Sequence, residues 1–172
     1  MNRNSAKKLC RAGVIAALYV ALTYVFMPFA YGPFQIRPAE ALCILPLFFA
    51  EAVPALFIGC LLANLVNGIA DVFFGSIVTL LAAGATWAVG EYCKQKTMRV
   101  LLGGSFPVLF NAICLPFMFL FLSTAGGEAS VAVYFSYFFS LFLTQAVWVY
   151  GLGVPTYMFI RRMQKRGFSP LL

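Results

Sequence analysis

The chemistry open to this chain is bounded first by what its 172 residues lack. With no histidine, Ser-His and Cys-His catalysis and histidine-based metal sites are closed to it. A single aspartate cannot make an aspartic dyad. No GxxxxGK[ST] loop cradles a nucleotide phosphate, so the chain cannot by itself bind and hydrolyse ATP in the usual way. An enzyme is therefore not expected, nor a cofactor or a bound metal. What remains is a small set of polar side chains able to hold a ligand. Any energy-requiring task would draw on a partner or an ion gradient.

Two short stretches concentrate these side chains. From Gly32 to Glu40 the sequence reads Gly-Pro-Phe-Gln-Ile-Arg-Pro-Ala-Glu, which brings Gln35, Arg37 and Glu40 together. Pro38 suits the first position of a helix, making Glu40 the third, where a glutamate caps the helix or meets the positive end of its dipole. The other reading is ligand contact by Arg37 or Glu40, since a charge at the mouth of an apolar bundle is less screened than on a soluble surface. Further on, Asn64, Asn67 and Asp71 are spaced i, i+3 and i+7, one face of one helix provided that Gly68 does not break it. One asparagine in a membrane helix is commonly interhelical glue, but three polar groups on one face favour a lined cavity. Asn111 lies deeper, as do Gln145 and Trp148 at i and i+3, with packing and ligand contact both open. Trp87 and Glu91 need no ligand, because an aromatic belt and a carboxylate reaching for the membrane surface account for them.

These groups are embedded in a chain that is 63% hydrophobic and 10% charged, too few polar groups to solvate a globule of this size. Its solvent is lipid, and the expected fold is an all-α integral membrane protein. Spans of about 17 to 25 apolar residues cross a bilayer. Six apolar stretches are read, at 13–29, 38–50, 52–70, 72–89, 100–122 and 131–160, within one domain covering 1–172. The second is short, either a tilted span or a re-entrant hairpin, and charge decides between them. Arg3, Lys7, Lys8 and Arg11 precede the first stretch, Lys94, Lys96 and Arg99 separate the fourth from the fifth, and Arg161, Arg162, Lys165 and Arg166 follow the last. With all three groups cytoplasmic, four crossings and then two satisfy the parity. The second stretch then spans, both termini are cytoplasmic, and Gln35, Arg37 and Glu40 sit at the external end of a multi-pass protein of the cell membrane.

The net charge of +7 is thereby a matter of topology, not of a nucleic-acid partner. The basic and then apolar amino-terminal run is expected to be the first span rather than a cleaved signal, being longer than a signal core and lacking a small-residue cleavage site. Five cysteines without a CxxC pair imply neither a disulfide framework nor a metal site. On the first stretch, Gly13, Ala17 and Ala21 recur every four residues with Ala12 and Ala16 beside them. A side nearly bare of side chains admits close approach of another helix, either within the bundle or on a separate membrane subunit.

Four blocks single out a family: Gln-Ile-Arg-Pro-Ala-Glu-Ala-Leu (35–42), Pro-Leu-Phe-Phe-Ala-Glu-Ala-Val-Pro (46–54), Gly-Cys-Leu-Leu-Ala-Asn (59–64) and Asp-Val-Phe-Phe-Gly-Ser-Ile-Val-Thr-Leu-Leu-Ala-Ala (71–83). Through them the chain resembles the QueT family, the queuosine-precursor substrate-binding (S) components of energy-coupling factor transporters. The likeness is strongest from Gly32 to Ala83 and weaker in the carboxyl half. It implies a six-helix S component without ATPase activity, docked through Ala12, Gly13, Ala16, Ala17 and Ala21 on a transmembrane coupling (T) subunit that carries two cytosolic ATPases. It also implies an external pocket, and release of the ligand inside after the loaded component topples in the membrane.

The implied ligand, queuine or a 7-deazaguanine such as 7-aminomethyl-7-deazaguanine, fits the polar inventory. A 7-deazaguanine offers two adjacent N–H donors to a carboxylate, Glu40 or Asp71, and an oxygen to Asn, Gln or Arg. The second carboxylate is then placed to meet the ammonium of an aminomethyl or queuine-type arm, and Phe34, Tyr134 or Tyr137 to stack on the flat faces. The rival class is a self-sufficient secondary transporter. It calls for an ion-coupling carboxylate at mid-membrane and for repeated halves, and the sequence displays neither.

Overall fold

The computed structural model of the chain describes residues 3–30, 35–121 and 131–166. All regular structure among them is helical: α1 (Arg3–Val25), α2 (Met27–Ala30), a 3-10 helix (Pro38–Leu47), α3 (Ala52–Asn64), α4 (Ile69–Tyr92), α5 (Lys96–Phe121), α6 (Val131–Gly151) and α7 (Gly153–Lys165).

The 3-10 helix is the axis of the bundle. Its sequence, Pro-Ala-Glu-Ala-Leu-Cys-Ile-Leu-Pro-Leu, is apolar all round apart from Glu40, which leaves no face suited to water, and every one of its residues is buried. Helices α1, α3, α4, α5, α6 and α7 each pack against it. Three residues per turn make it slimmer than an α-helix, and glycines let its neighbours close on the far end. A Cβ on Gly90 of α4 would come within 3.0 Å of the Leu47 backbone, and one on Gly103 of α5 within 2.7 Å of the Leu47 side chain. Pro107 deprives the Gly103 carbonyl of its helical donor, and the Thr86 hydroxyl of α4 replaces it at 2.8 Å.

Among the described residues, four stretches are long and apolar enough to cross a membrane: Asn4–Val25, Ile69–Tyr92, Lys96–Leu120 and the α6–α7 run Val131–Lys165. The 3-10 helix and α3 are shorter, each about 20 Å from its rise per residue, against a hydrocarbon core of about 30 Å. At one end Arg99 donates to the Leu47 carbonyl, Arg11 lies 4.3 Å over the Phe49 ring and pairs with Glu51 at 2.8 Å. Arg161 lies 6.0 Å from the Tyr157 ring, which is 4.8 Å from Phe48. One member of each basic group is present, so the three groups share this end.

The three largest differences from the sequence reading concern α1, the 131–160 stretch and the 52–70 stretch. α1 begins at Arg3 rather than near residue 13, because its basic turns are helical too. The 131–160 stretch divides at Leu152, where glycines flank the break and Pro155 has no N–H for the Gly151 carbonyl. The 52–70 stretch is not one helix: α3 ends at Asn64, and Gly68, at φ +106° and ψ +159°, turns the chain into α4. That backbone region is in practice reserved for glycine. Gly68→Ala is therefore expected to cost about 1 to 3 kcal/mol, all of it backbone strain, since the space around Gly68 is open. Thermal unfolding in detergent measures this, with Gly84→Ala in α4 as the unstrained control; equal melting of the two variants would refute the strain.

Candidate ligand-binding site

Glu40 enters the bundle on the axial helix, and the surrounding helices supply its donors. Oε1 accepts the Tyr19 hydroxyl of α1 at 2.7 Å and lies 3.8 Å from Arg37 Nε. Oε2 accepts from Asn111 Nδ2 of α5 and from the Cys43 thiol, each at 3.3 Å. Arg37 donates through Nη2 to Asn64 Oδ1 at 3.1 Å and to the Tyr19 hydroxyl at 3.3 Å. Asn64 Nδ2 in turn donates to the Asp71 backbone carbonyl at 3.1 Å. A continuous polar chain thus runs from α5 through the axial helix to α1, α3 and α4, with Arg37, Glu40, Asn64, Asp71 and Asn111 all buried. Buried ions persist only when paired and hydrogen-bonded, and this network meets that condition for Glu40. Glu40 lies in the first turn of its helix, where the dipole favours an acidic group, and its carboxylate accepts from Tyr19, Cys43 and Asn111.

The polar stripe is corrected by the same turn. Since Gly68 ends the helical register, Asn64, Asn67 and Asp71 do not share one helix face. Asn67 sits in an exposed turn and donates from Nδ2 to Asp71 Oδ2 at 2.6 Å, while Asn64 meets Asp71 across the α3–α4 junction. Gly75 leaves the room for this, since a Cβ there would lie 3.0 Å from Asn64 Nδ2 and 3.2 Å from Asp71 Oδ1.

Three of the expected site residues carry buried polar atoms without a hydrogen-bond partner among the described residues: Asp71 Oδ1, both amide atoms of Gln35, and Gln145 Oε1 on α6. Each such atom costs about 1 to 3 kcal/mol. Gln35 also holds φ +38°, a region non-glycine residues seldom occupy and one associated with functional strain. Each of these atoms keeps hydrogen-bonding capacity that a polar ligand can satisfy.

The aromatic expectations fare differently. Tyr134 donates to the Ile113 carbonyl at 3.1 Å and Tyr137 lies 6.2 Å from Phe119, so both serve the α5–α6 seam and take no part in the Glu40 network. Trp148 is half-buried on α6, and Phe34 lies outside the described residues. The sequence reading missed Tyr19, Cys43, Cys60 and Thr79. Cys60 Sγ accepts from Thr79 at 3.3 Å and from Asn64 at 3.4 Å. Tyr19 did have a signal: Ile15, Tyr19 and Thr23 recur every four residues and are buried, offset by two from the exposed Gly13, Ala17 and Ala21. The small-residue face is accordingly split. Ala12 and Ala16 pack on the core, where a Cβ on Gly59 would meet the Ala16 carbonyl at 3.2 Å, because α1 and α3 approach closely there. Only Gly13, Ala17 and Ala21 remain outward.

A protein-family model described as QueT transporter matches residues 9–162. No curated protein and no solved structure matches the chain.

Proposed function

Because the chain belongs to the QueT transporter family, we propose that it is the substrate-capture (S) component of an energy-coupling factor importer whose ligand is a queuosine precursor, queuine or a 7-deazaguanine. The observation that carries this reading is the buried network from Glu40 to Asp71, with polar capacity left over on Asp71, Gln35 and Gln145. A 7-deazaguanine is flat and presents adjacent N–H donors beside an oxygen. Asp71 accepts the paired donors, the Gln35 amide donates to the oxygen, and Gln145 accepts a further N–H. Glu40, with both oxygens already engaged, holds Arg37 and Tyr19 in place.

With no phosphate loop of its own, the chain draws on two cytosolic ATPases carried by a T subunit, on which it docks through Gly13, Ala17 and Ala21. The end that gathers Arg11, Arg99 and Arg161 faces the cytoplasm together with both termini, and the ligand enters from the opposite end.

Calorimetry on the purified protein with a small panel of deazapurines tests the ligand: saturable binding of a 7-deazaguanine is expected, and a folded protein that binds none of the panel ends this reading. Co-purification in mild detergent tests the assembly, since an S component brings ATPase subunits with it and a solitary carrier does not. For the orientation, Ser5→Cys in a background without native cysteines is expected to label only after the membrane is permeabilised. Labelling in intact cells would invert the topology.

A further inference from the structure

We propose that a groove between α5 and α7 binds an anionic phospholipid, independently of the transported ligand. The groove holds about 340 Å³ at the basic end of the bundle. Its floor is apolar, with Val100 from α5 and Val154, Tyr157 and Met158 from α7, and its polar rim is Lys96 and Arg161 with Thr97 beside them. The break at Leu152 makes room for it: α6 packs along α5, whereas α7 packs chiefly on the axial helix and touches α5 only lightly. Val100 and Tyr157 are buried against Ile44 and Leu47, so the floor is part of the packed core and is preformed.

Charge and position select the occupant. The ion pairs among the described residues are Arg11–Glu51 and Arg37–Glu40, which leaves Lys96 and Arg161 without an acidic partner. Arg161 is aimed by the bond from its Nη1 to the Tyr157 hydroxyl, 3.2 Å, and its remaining guanidinium donors suit a phosphate. The cations stand at the outer ends of two membrane-crossing stretches, and the apolar floor continues into the region surrounded by lipid. A phosphodiester above an acyl chain matches both halves, as basic pockets between membrane helices do. A second groove, about 530 Å³ between α4 and α5, includes Ala88, Val89, Leu102 and Phe106 and has no cation in its lining; it serves as the uncharged comparison.

The test titrates purified protein in detergent with dioleoylphosphatidylglycerol, dioleoylphosphatidylcholine or glycerol phosphate, with bound molecules counted by native mass spectrometry. Phosphatidylglycerol is expected to be retained in preference to phosphatidylcholine. Lys96→Gln combined with Arg161→Gln should weaken it about tenfold or more and erase the preference, while Arg161→Lys keeps most of it. Val154→Trp, which fills the floor with the charges intact, should also weaken it, and Ala88→Trp in the other groove should not. Equal retention of the two lipids, or undiminished phosphatidylglycerol binding by the double variant, overturns the proposal. So does glycerol phosphate binding as tightly as the lipid, which would make this a site for a free phosphate. Loss of a partner subunit from the double variant with lipid binding unchanged overturns it as well, and assigns the groove to protein docking.

Discussion

Asp71→Asn is expected to raise the dissociation constant for a 7-deazaguanine about tenfold to a hundredfold, the loss of about 1.5 to 3 kcal/mol carried by a charge-assisted bond in a water-poor site. Thermal stability should change little. The amide oxygen can still accept from Asn67, and Oδ1 has no hydrogen-bond partner among the described residues to lose. Glu40→Gln should behave in the opposite order. Its carboxylate accepts from Tyr19, Cys43 and Asn111 and lies beside the buried Arg37 guanidinium. Removing one member of a buried ion pair costs about 3 to 5 kcal/mol, so the variant should melt early, with any loss of affinity following from the disordered network. The Asp71→Asn effect should be equal for an aminomethyl and a nitrile-bearing deazaguanine, since the purine edge is common to both. Calorimetry alongside thermal unfolding separates the two roles. A stable Glu40→Gln that no longer binds, beside an Asp71→Asn that binds like the parent, would exchange them. Normal binding by both would move the pocket elsewhere.

Ala17→Trp and Ala21→Trp are each expected to abolish transport while leaving ligand affinity nearly unchanged. Both positions are exposed on the outer side of α1, where an indole keeps a partner helix from approaching closely. The pocket side of the same helix is held by Tyr19, which is fully buried. Ala16→Trp supplies the contrast. Its carbonyl and Cα already lie 3.2 and 3.3 Å from where a Cβ on Gly59 would stand, so an indole there forces α1 from α3 and should destabilise the protein itself. Uptake in cells, with binding and co-purification measured on the same variants, reads all three effects. Loss of ligand binding in Ala17→Trp with normal assembly would show that this face serves the pocket and not a T subunit.

How far the sequence could be read follows from which properties are local. Composition determined the solvent, because 63% hydrophobic residues with 10% charge cannot be hydrated as a globule. The spacing of charge predicted that the three basic groups share a side, and Arg11, Arg99 and Arg161 do gather at one end of the bundle. Glu40 stood out, with Arg37, as a charge at the mouth of an otherwise apolar bundle, where charge is costly. The Asn64–Asp71 stripe was misread because helical spacing was carried across Gly68, whose positive φ belongs to the glycine backbone and not to the hydrophobic pattern.

Tertiary structure alone decided which polar groups meet. Glu40 and Asn111 are 71 residues apart in sequence and bond at 3.3 Å, and Tyr19 reaches Glu40 across 21. No periodicity links such positions, since periodicity reports which face of a helix is buried and says nothing about the helix it is buried against. Only the closing of six helices around one slender axial segment brings those faces together. That packing commits both Glu40 oxygens and leaves one Asp71 oxygen without a hydrogen-bond partner among the described residues.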